Sequence, residues 1–397
     1  MRRSRFMLAV FLILVIAGVA RYKPAYYATQ LDPGPDATEY AITSVSLYQH
    51  GAYSMMINHT PYPPQYPHGF PLLLMPAYAT FGPQAQNGVY ATLVYWLAVV
   101  VLTIVLGRRV FGAPAALVAG LAVAIGPAFF DTGKKILSDA ASVLLLLLIG
   151  LFVMKAWEGK RQLLWIAAAG LLAGLVTVVR VGEAPVLVMM PLAIVVMLRR
   201  SPRRALGALV IFGCAALAPI VPQLLYDWQA YGSPFTTGYV YWNLSLTGTT
   251  DSFISLKYLF EPTSLDPTAN VPYYLTNLLG IDIAGYGALY WPTFVLAIVA
   301  GVVAVCRNAA LRRRDLLVVA LLVAGNLPIY LICGFHNVRY ILLTAIVVVM
   351  LAGRGVGELW HMAAARAAGR TVTHGVRTCP CSRGLWHAGY GIQSGAR

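Results

Sequence analysis

The sequence predicts an all-α polytopic membrane protein with about ten transmembrane helices and one long polar stretch following the first of them. Three observations carry this. Charged residues make up 11% of the 397 and hydrophobic residues 59%, whereas soluble domains are roughly a quarter charged. Mean hydropathy is +0.70, and apolar runs recur at the length a helix needs to cross a bilayer. The 29 Lys and Arg, which give a net charge of +15, stand in short clusters between those runs. That is how basic residues orient membrane helices, and it argues against nucleic acid as the partner. No polar block is large enough for a separate soluble domain, so 1–354 reads as one membrane domain and 355–397 as a cytoplasmic tail.

The predicted spans are 6–21, 86–107, 113–131, 138–155, 162–181, 183–198, 205–225, 286–306, 315–333 and 339–353. The first follows Arg2, Arg3 and Arg5 and ends AGVA. Read as an uncleaved anchor rather than a signal peptide, it lets the charge pattern alternate correctly. With the N-terminus in the cytoplasm, 22 of the 29 basic residues fall on the cytoplasmic side and 7 on the outer side, and the C-terminus is cytoplasmic too. Residues 71–82 are apolar but too short to span, which suits an interfacial or re-entrant piece. Two long outer stretches result, 22–85 and 226–285. The second opens YDWQAYGSPFTTGYVYW from Tyr226, an aromatic content that fits a membrane-interface belt. From about Arg370 the composition changes abruptly and no period is visible, as in a disordered tail.

Eleven of the fourteen Asp and Glu fall outside or at outer helix ends; Glu158, Asp315 and Glu358 are the exceptions. Ionisable groups avoid the helix middles, where each costs about 2.5–3.5 kcal/mol even on insertion scales. They gather instead at four places: Asp36 and Glu39, with Asp32 nearby; Lys134, Lys135 and Asp139 in DTGKKILSDA; Arg180 and Glu183; and His336 and Arg339 in GFHNVRY. Topology alone brings all four to one side and a similar depth. That set suits transfer of a sugar from a polyprenyl phosphate. The leaving phosphate is a weak base and needs fixed positive charge rather than a proton. The incoming hydroxyl needs a general base. One carboxylate and one or two cations therefore suffice, unlike glycoside hydrolysis with its two carboxyls.

Several of these residues fall in a recognisable order. Asp36 is followed by Tyr40 and Ala41, then Gly51 and Tyr53, then YPHGFPLLL from Tyr66, then Ser138–Asp139, GSPFTTGY from Gly232 and RYILL from Arg339. The sequence from about Arg2 to Arg354 thereby resembles the GT-C superfamily of lipid-dependent glycosyltransferases, especially the branch of the protein mannosyltransferases and the lipid A aminoarabinose transferase. The resemblance implies a GT-C-like fold and a polyprenyl-phosphate-linked donor. It implies that Asp36 activates the acceptor hydroxyl, with inversion at the anomeric carbon, and that Asp139 supports catalysis or contacts a metal. It implies phosphate contact from a basic residue such as Arg339. Lys134, Lys135, Arg180, His336, Tyr66 and His68 complete the expected substrate and phosphate contacts. Asp36 and Asp139 are the expected ligands of any divalent metal. The acceptor is an envelope lipid, glycan or protein hydroxyl, and a bacterial inner membrane is the expected location. Two departures are visible: Ala37 follows Asp36 where many relatives have Glu, and His68 stands where Pro is usual.

Each residue also has a plainer reading. Asp36 and Asp139 each stand at a helix start and suit capping; Asp32, in DPGP, suits a turn. Glu39 is a first-turn acid favoured by the helix dipole. Lys134 and Lys135 suit lipid headgroups, and Arg180 and Glu183 are spaced to pair with each other. Two other functions compete with transfer. A flippase for a lipid-linked saccharide would show internal repeats and charges at the midplane, neither of which is visible. A noncatalytic scaffold would not need so long a loop on one face.

Overall fold

All ten apolar runs are helical in the computed structural model of the protein, which describes residues 3–21, 34–58, 60–247, 254–262, 268–279, 287–307, 313–334 and 337–367. Helices α1 (Arg3–Arg21), α2 (Pro35–His50) and α3 (Gly69–Phe81) lead into α4 (Gly88–Val110), α5 (Ala113–Ile125), α6 (Pro127–Thr132), α7 (Asp139–Ala156), α8 (Gln162–Val179) and α9 (Val186–Leu198). They continue as α10 (Pro202–Tyr231), α11 (Gly238–Thr247), α12 (Asn270–Leu278), α13 (Gly287–Arg307), α14 (Arg313–Leu331) and α15 (Leu342–Ala367). Among the described residues, seven helical segments are long and apolar enough to cross a membrane: Ala85–Val110, Asp139–Ala156, Gln162–Val179, Val181–Leu198, Pro202–Tyr231, Arg313–Leu331 and Val338–Ala365. Ser4–Ala20, Gly69–Phe81, Ala113–Ile125 and Thr293–Arg307 are shorter apolar helices. The protein is an all-α integral membrane protein.

Four boundaries differ from the expectation, each for a local reason. The run 113–131 breaks between Ile125 and Pro127. Pro127 has no N–H to donate, and Gly126 before it takes extended dihedrals, as the residue ahead of a proline favours. Helix α10 outlasts its apolar run and stops only at Gly232, in the left-handed conformation at φ 79°, where glycine has no Cβ to clash. The last helix continues past Arg354 to Ala367 through the good helix formers of Met362-Ala-Ala-Ala. Residues 360–397 form a unit distinct from 1–359, and the tail beyond 367 lies outside the described residues. Finally, the described part of the first polar stretch carries regular structure. It holds α2 and a two-stranded hairpin, β1 (Met55–Ile57) paired antiparallel with β2 (Thr60–Tyr62).

The core lies among α4, α5, α7, α8 and α9, where Trp96, Leu146, Ile149, Met154, Ile166 and Met190 are fully buried. Helix α8 reaches α10 through Gly170 and Gly174, where a Cβ would run into the carbonyls of Phe212 and Ala216. Small residues one turn apart let helix backbones touch in lipid, where packing replaces the hydrophobic drive. Exposed Leu163, Leu164, Leu171, Leu206, Val210 and Leu217 line the outside of the same pair.

Charge collects at the two ends of α7. At its C-terminal end Arg109 binds Asp315 at 3.1 Å and Glu158 at 2.9 Å, Lys155 also meets Glu158, and Arg354 pairs with Glu358. All three acids that the sequence puts on the cytoplasmic side are thus counter-ions of arginine. Asp139 begins the same helix at the other end, about 25 Å away at the rise of a regular helix.

Candidate active site

Helix α2 presents Asp36, Glu39 and Tyr40 on one face, at the three- and four-residue spacing of neighbouring turns. Pro35 at its first turn has no donor to waste, and Asp36 follows in the first turn, where the helix dipole favours an acid. Gly34, not Asp36, is the N-cap, and no side chain caps this end. Asp36 is instead engaged across the fold. Its Oδ2 accepts from Arg339 Nη2 at 2.5 Å, and its Oδ1 accepts from the Tyr66 hydroxyl at 2.6 Å. Burial alone would raise the carboxyl, but the Arg339 charge, the Tyr66 hydrogen bond and the more distant Arg180 hold it below the usual carboxylate range.

Arg339 stands on the short 3-10 turn Val338–Ile341, whose entry is fixed by the Asn337 side chain accepting from the Arg339 N–H. Its Nε is buried and has no hydrogen-bond partner among the described residues. The guanidinium lies over the Tyr340 ring, 5.3 Å from its centre, while Arg180 lies 4.9 Å from that centre on its own account. Such contacts hold a cation without consuming its hydrogen bonds.

Asp139 and Arg180 form the second pair, at 2.5 Å. Ser138 precedes Asp139 as N-cap without a capping bond, and Tyr40 reaches Ser138 with its hydroxyl at 3.3 Å, tying α2 to α7. Exposure separates the two acids: the Asp36 side chain is 21% accessible and Asp139 only 2%. Asp36 can meet an incoming hydroxyl, while Asp139 is sealed behind its arginine. Removing one partner of a sealed pair strands the other charge, at a cost of about 3–5 kcal/mol. Arg180→Ala is therefore expected to lower the yield of folded protein, and adding Asp139→Ala to restore part of it, read by size-exclusion in detergent. The Arg180–Glu183 pairing suggested by their spacing gives way to a different arrangement. Glu183, 3% exposed, accepts from Asn326 through both oxygens and from Tyr330 and Ser142 through Oε1.

Glu39 turns toward the segment after the hairpin. Its Oε1 accepts the backbone N–H groups of Gln65 at 2.6 Å and Tyr66 at 3.0 Å. Burial, with the nearby Asp36 adding to it, outweighs those two bonds and pushes the carboxyl up to about 7. The same segment is clamped from the second long connection. Tyr231 donates to the Pro64 carbonyl and Trp242 to that of Pro63, and a Cβ on Gly238 would run into the Pro64 and Gln65 carbonyls. Part of the aromatic belt expected at 226–285 thus grips the first loop, while Trp228 and Phe235 remain exposed.

The other expected contacts are spread about this centre. Tyr66 is part of it, its ring packed at a tilt against Tyr40 at 4.6 Å between ring centres. His68 packs its ring edge-on to Tyr53 and donates its backbone N–H to Gln223; burial holds the imidazole below its ordinary value against the pull of Gln223. Lys134 and Lys135 are half-buried in the connection before α7. His336 and Asp32 lie outside the described residues. A divalent metal does not fit the carboxylates as arranged. Each is already bound to a guanidinium, and no three His, Cys, Asp or Glu come together among the described residues. Sequence reasoning gave no role to Tyr340 or to the Glu183–Asn326 network, and it grouped Glu39 with Asp36 without foreseeing its grip on the loop. The periodicity of aromatic and polar residues in apolar helices carries no signal of which helix lies alongside.

Residues 67–226 match the family described as dolichyl-phosphate-mannose-protein mannosyltransferase. A search of curated protein sequences finds no match. Among solved structures, ArnT from Cupriavidus metallidurans bound to undecaprenyl phosphate aligns with a TM-score of 0.57 at 19% identity, over 93% of this chain and 64% of that one. The archaeal oligosaccharyltransferase AglB from Archaeoglobus fulgidus, in complex with an inhibitory peptide and a dolichol-phosphate, gives 0.55 at 14% identity, over 93% and 52%. An oligosaccharyltransferase from the same organism, complexed with Zn and sulfate, gives 0.52 at 13% identity, over 91% and 50%. The chain spans less than two thirds of the length of the structures it matches. The chain shares the fold of these solved structures, and its residues 67–226 match the family described as dolichyl-phosphate-mannose-protein mannosyltransferase.

Proposed function

We propose that the protein is an integral membrane glycosyltransferase that moves a sugar from a polyprenyl-phosphate donor to an acceptor hydroxyl, with inversion and with Asp36 as general base. The observation that carries this is the Asp36–Arg339 pair, formed across 303 positions of sequence, accessible at its carboxylate and with a buried guanidinium N–H still unpartnered among the described residues. A donor phosphate competes with Asp36 for Arg339. As it binds, the guanidinium turns to the phosphate and leaves a carboxylate free to accept a proton.

The acceptor oxygen then attacks the anomeric carbon. Its proton passes to Asp36, the bond from that carbon to the phosphate oxygen breaks, and the electron pair leaves with the phosphate. The extra negative charge on the polyprenyl phosphate is met by Arg339, with Lys134 or Lys135 and His336 as further contacts, and such preset charge acts without reorganising solvent. Asp139 supports the step by holding Arg180, the second cation on Tyr340. The solved structures with undecaprenyl phosphate and dolichol-phosphate support a polyprenyl carrier. The distribution of basic residues supports cytoplasmic termini and a site on the outer face, and the Ala/Gly/Arg-rich composition suits a bacterial inner membrane. The acceptor is an envelope lipid, glycan or protein.

Mass spectrometry of envelope glycans from a deletion strain tests this. One sugar substituent should disappear and return with the wild-type gene but not with Asp36→Asn. Unchanged glycans would refute the reading, and accumulation of an untransferred lipid-linked saccharide on the cytoplasmic leaflet would point to a flippase instead.

A further inference from the structure

Tyr66 is held at three points. Its hydroxyl donates to Asp36 Oδ1 at 2.6 Å, its carbonyl accepts from the Tyr53 hydroxyl at 2.6 Å, and its N–H donates to Glu39 Oε1 at 3.0 Å. Glu39 also takes the Gln65 N–H, so one carboxyl oxygen fixes two consecutive peptide groups from a segment 26 residues away. Asp36 and Glu39 stand three apart on α2. Helix and loop are therefore locked in one register at the place where Tyr66 touches Asp36. Without Glu39, two partly buried N–H groups lose their acceptor, and the loop is free to pull Tyr66 away.

We propose that Glu39 is a positioning residue for the base: it sets the 65–66 backbone so that the Tyr66 hydroxyl stays on Asp36. This deepens the reading of Asp36 as base and rests on it. Glu39 holds the loop as an acceptor, and it need not be charged. The titratable groups facing it are Asp36 on its own helix, Tyr53 beyond the helix end, and Tyr226, Tyr231 and Tyr239 from the second long connection. Of these only Asp36 adds to the burial that pushes the Glu39 carboxyl up to about 7; the phenols are neutral at that pH. The groups facing Asp36 are Arg339, Tyr66 and Arg180, with Glu39 and Tyr40 on its own helix and Tyr239 from the second long connection. Glutamine keeps the acceptor oxygen and has the shape of the neutral acid.

The test uses membrane vesicles carrying the full chain, fed the polyprenyl-phosphate-linked sugar fraction extracted from the parent strain, with transfer read by mass spectrometry across pH. Glu39→Ala should lower the maximal rate about ten- to a hundredfold, the scale of a small misplacement of a reacting group, with little change in the donor level needed for half-saturation. At limiting donor, its acid limb should move up by about one pH unit, because Asp36 loses a hydrogen bond that favours its charged form. Glu39→Gln should restore the rate to within about threefold and return the limb to its wild-type place. Tyr66→Phe, whose ring keeps its packing against Tyr40, should move the limb as Glu39→Ala does; it gives the same reading if Glu39→Ala does not insert. A Glu39→Gln as slow as Glu39→Ala would overturn the proposal by showing that the charge, not the grip, is needed. So would an unshifted limb in both Glu39→Ala and Tyr66→Phe. Asp36→Asn is run alongside. If it transfers at the wild-type rate the base assignment itself has failed; if it is inactive while Glu39→Ala is normal, only the positioning role has.

Discussion

Replacing Asp36 with Asn is expected to slow sugar transfer by about 10²–10⁴-fold, the usual contribution of a general base, while the protein remains folded and inserted. Asparagine fits the same space and its oxygen still accepts from Tyr66, so the loop keeps its shape. What is lost is the ability to take a proton and the pairing with Arg339, a loss tolerated at a site 21% accessible better than in the sealed interior. The pH profile adds a second signature. In the free protein Arg339 and Tyr66 outweigh burial and hold Asp36 below the usual carboxylate range, so kcat/KM should be flat through neutral pH and fall only in acid, as the base is protonated. Once the donor phosphate has drawn Arg339 away, the carboxyl has lost its largest stabilising charge and its pKa rises. The acid limb of kcat, which reports the bound state, should therefore lie at higher pH than that of kcat/KM. Arg339→Ala should bring the two limbs together by raising the lower one. A wild-type rate for Asp36→Asn would end the assignment.

Replacing Arg109 with Met is expected to destabilise the protein by about 3–5 kcal/mol, the cost of leaving a buried charge unpaired. Arg109 serves two acids and the Met154 carbonyl at once. Asp315 is 1% exposed and has no water to turn to when the guanidinium is gone. Removing both charges, as in Arg109→Met with Asp315→Leu, should recover most of the loss, because an apolar pair of similar volume often replaces a buried ion pair without penalty. Unfolding in detergent monitored by tryptophan fluorescence would measure it. Whatever fraction folds should transfer sugar at the wild-type rate, since this cluster sits at the far end of α7 from Asp139. A single variant as stable as wild type would show that Asp315 is neutralised in some other way.

Much of this was legible from hydropathy and charge. Each predicted apolar run carries helix in its described residues, seven of the segments being long and apolar enough to cross, because a bilayer demands length and apolarity and little else. The meeting of Asp36 with Arg339 was foreseeable too, since helix count alone puts both at one end. Lateral order was not. Arg180 chose Asp139 over its near neighbour Glu183, a choice fixed by how α7, α8 and α14 lie side by side. Glu39 looked like a first-turn acid because nothing in the sequence reveals that a loop 26 residues on will offer its backbone. The break at Gly126–Pro127 was readable locally, but an apolar count across it hides the missing donor.

The sealed Asp139–Arg180 pair bears on how the polypeptide enters the bilayer. The two residues cap the open ends of an antiparallel helical hairpin, α7 and α8, and both belong to the end opposite Arg109 and Glu158. Carried through the hydrocarbon singly, each would meet a barrier of about 2.5–3.5 kcal/mol even on the lenient scale. Were this end the one carried across, a preformed hairpin would take the two through as one neutral unit and spare each that single passage.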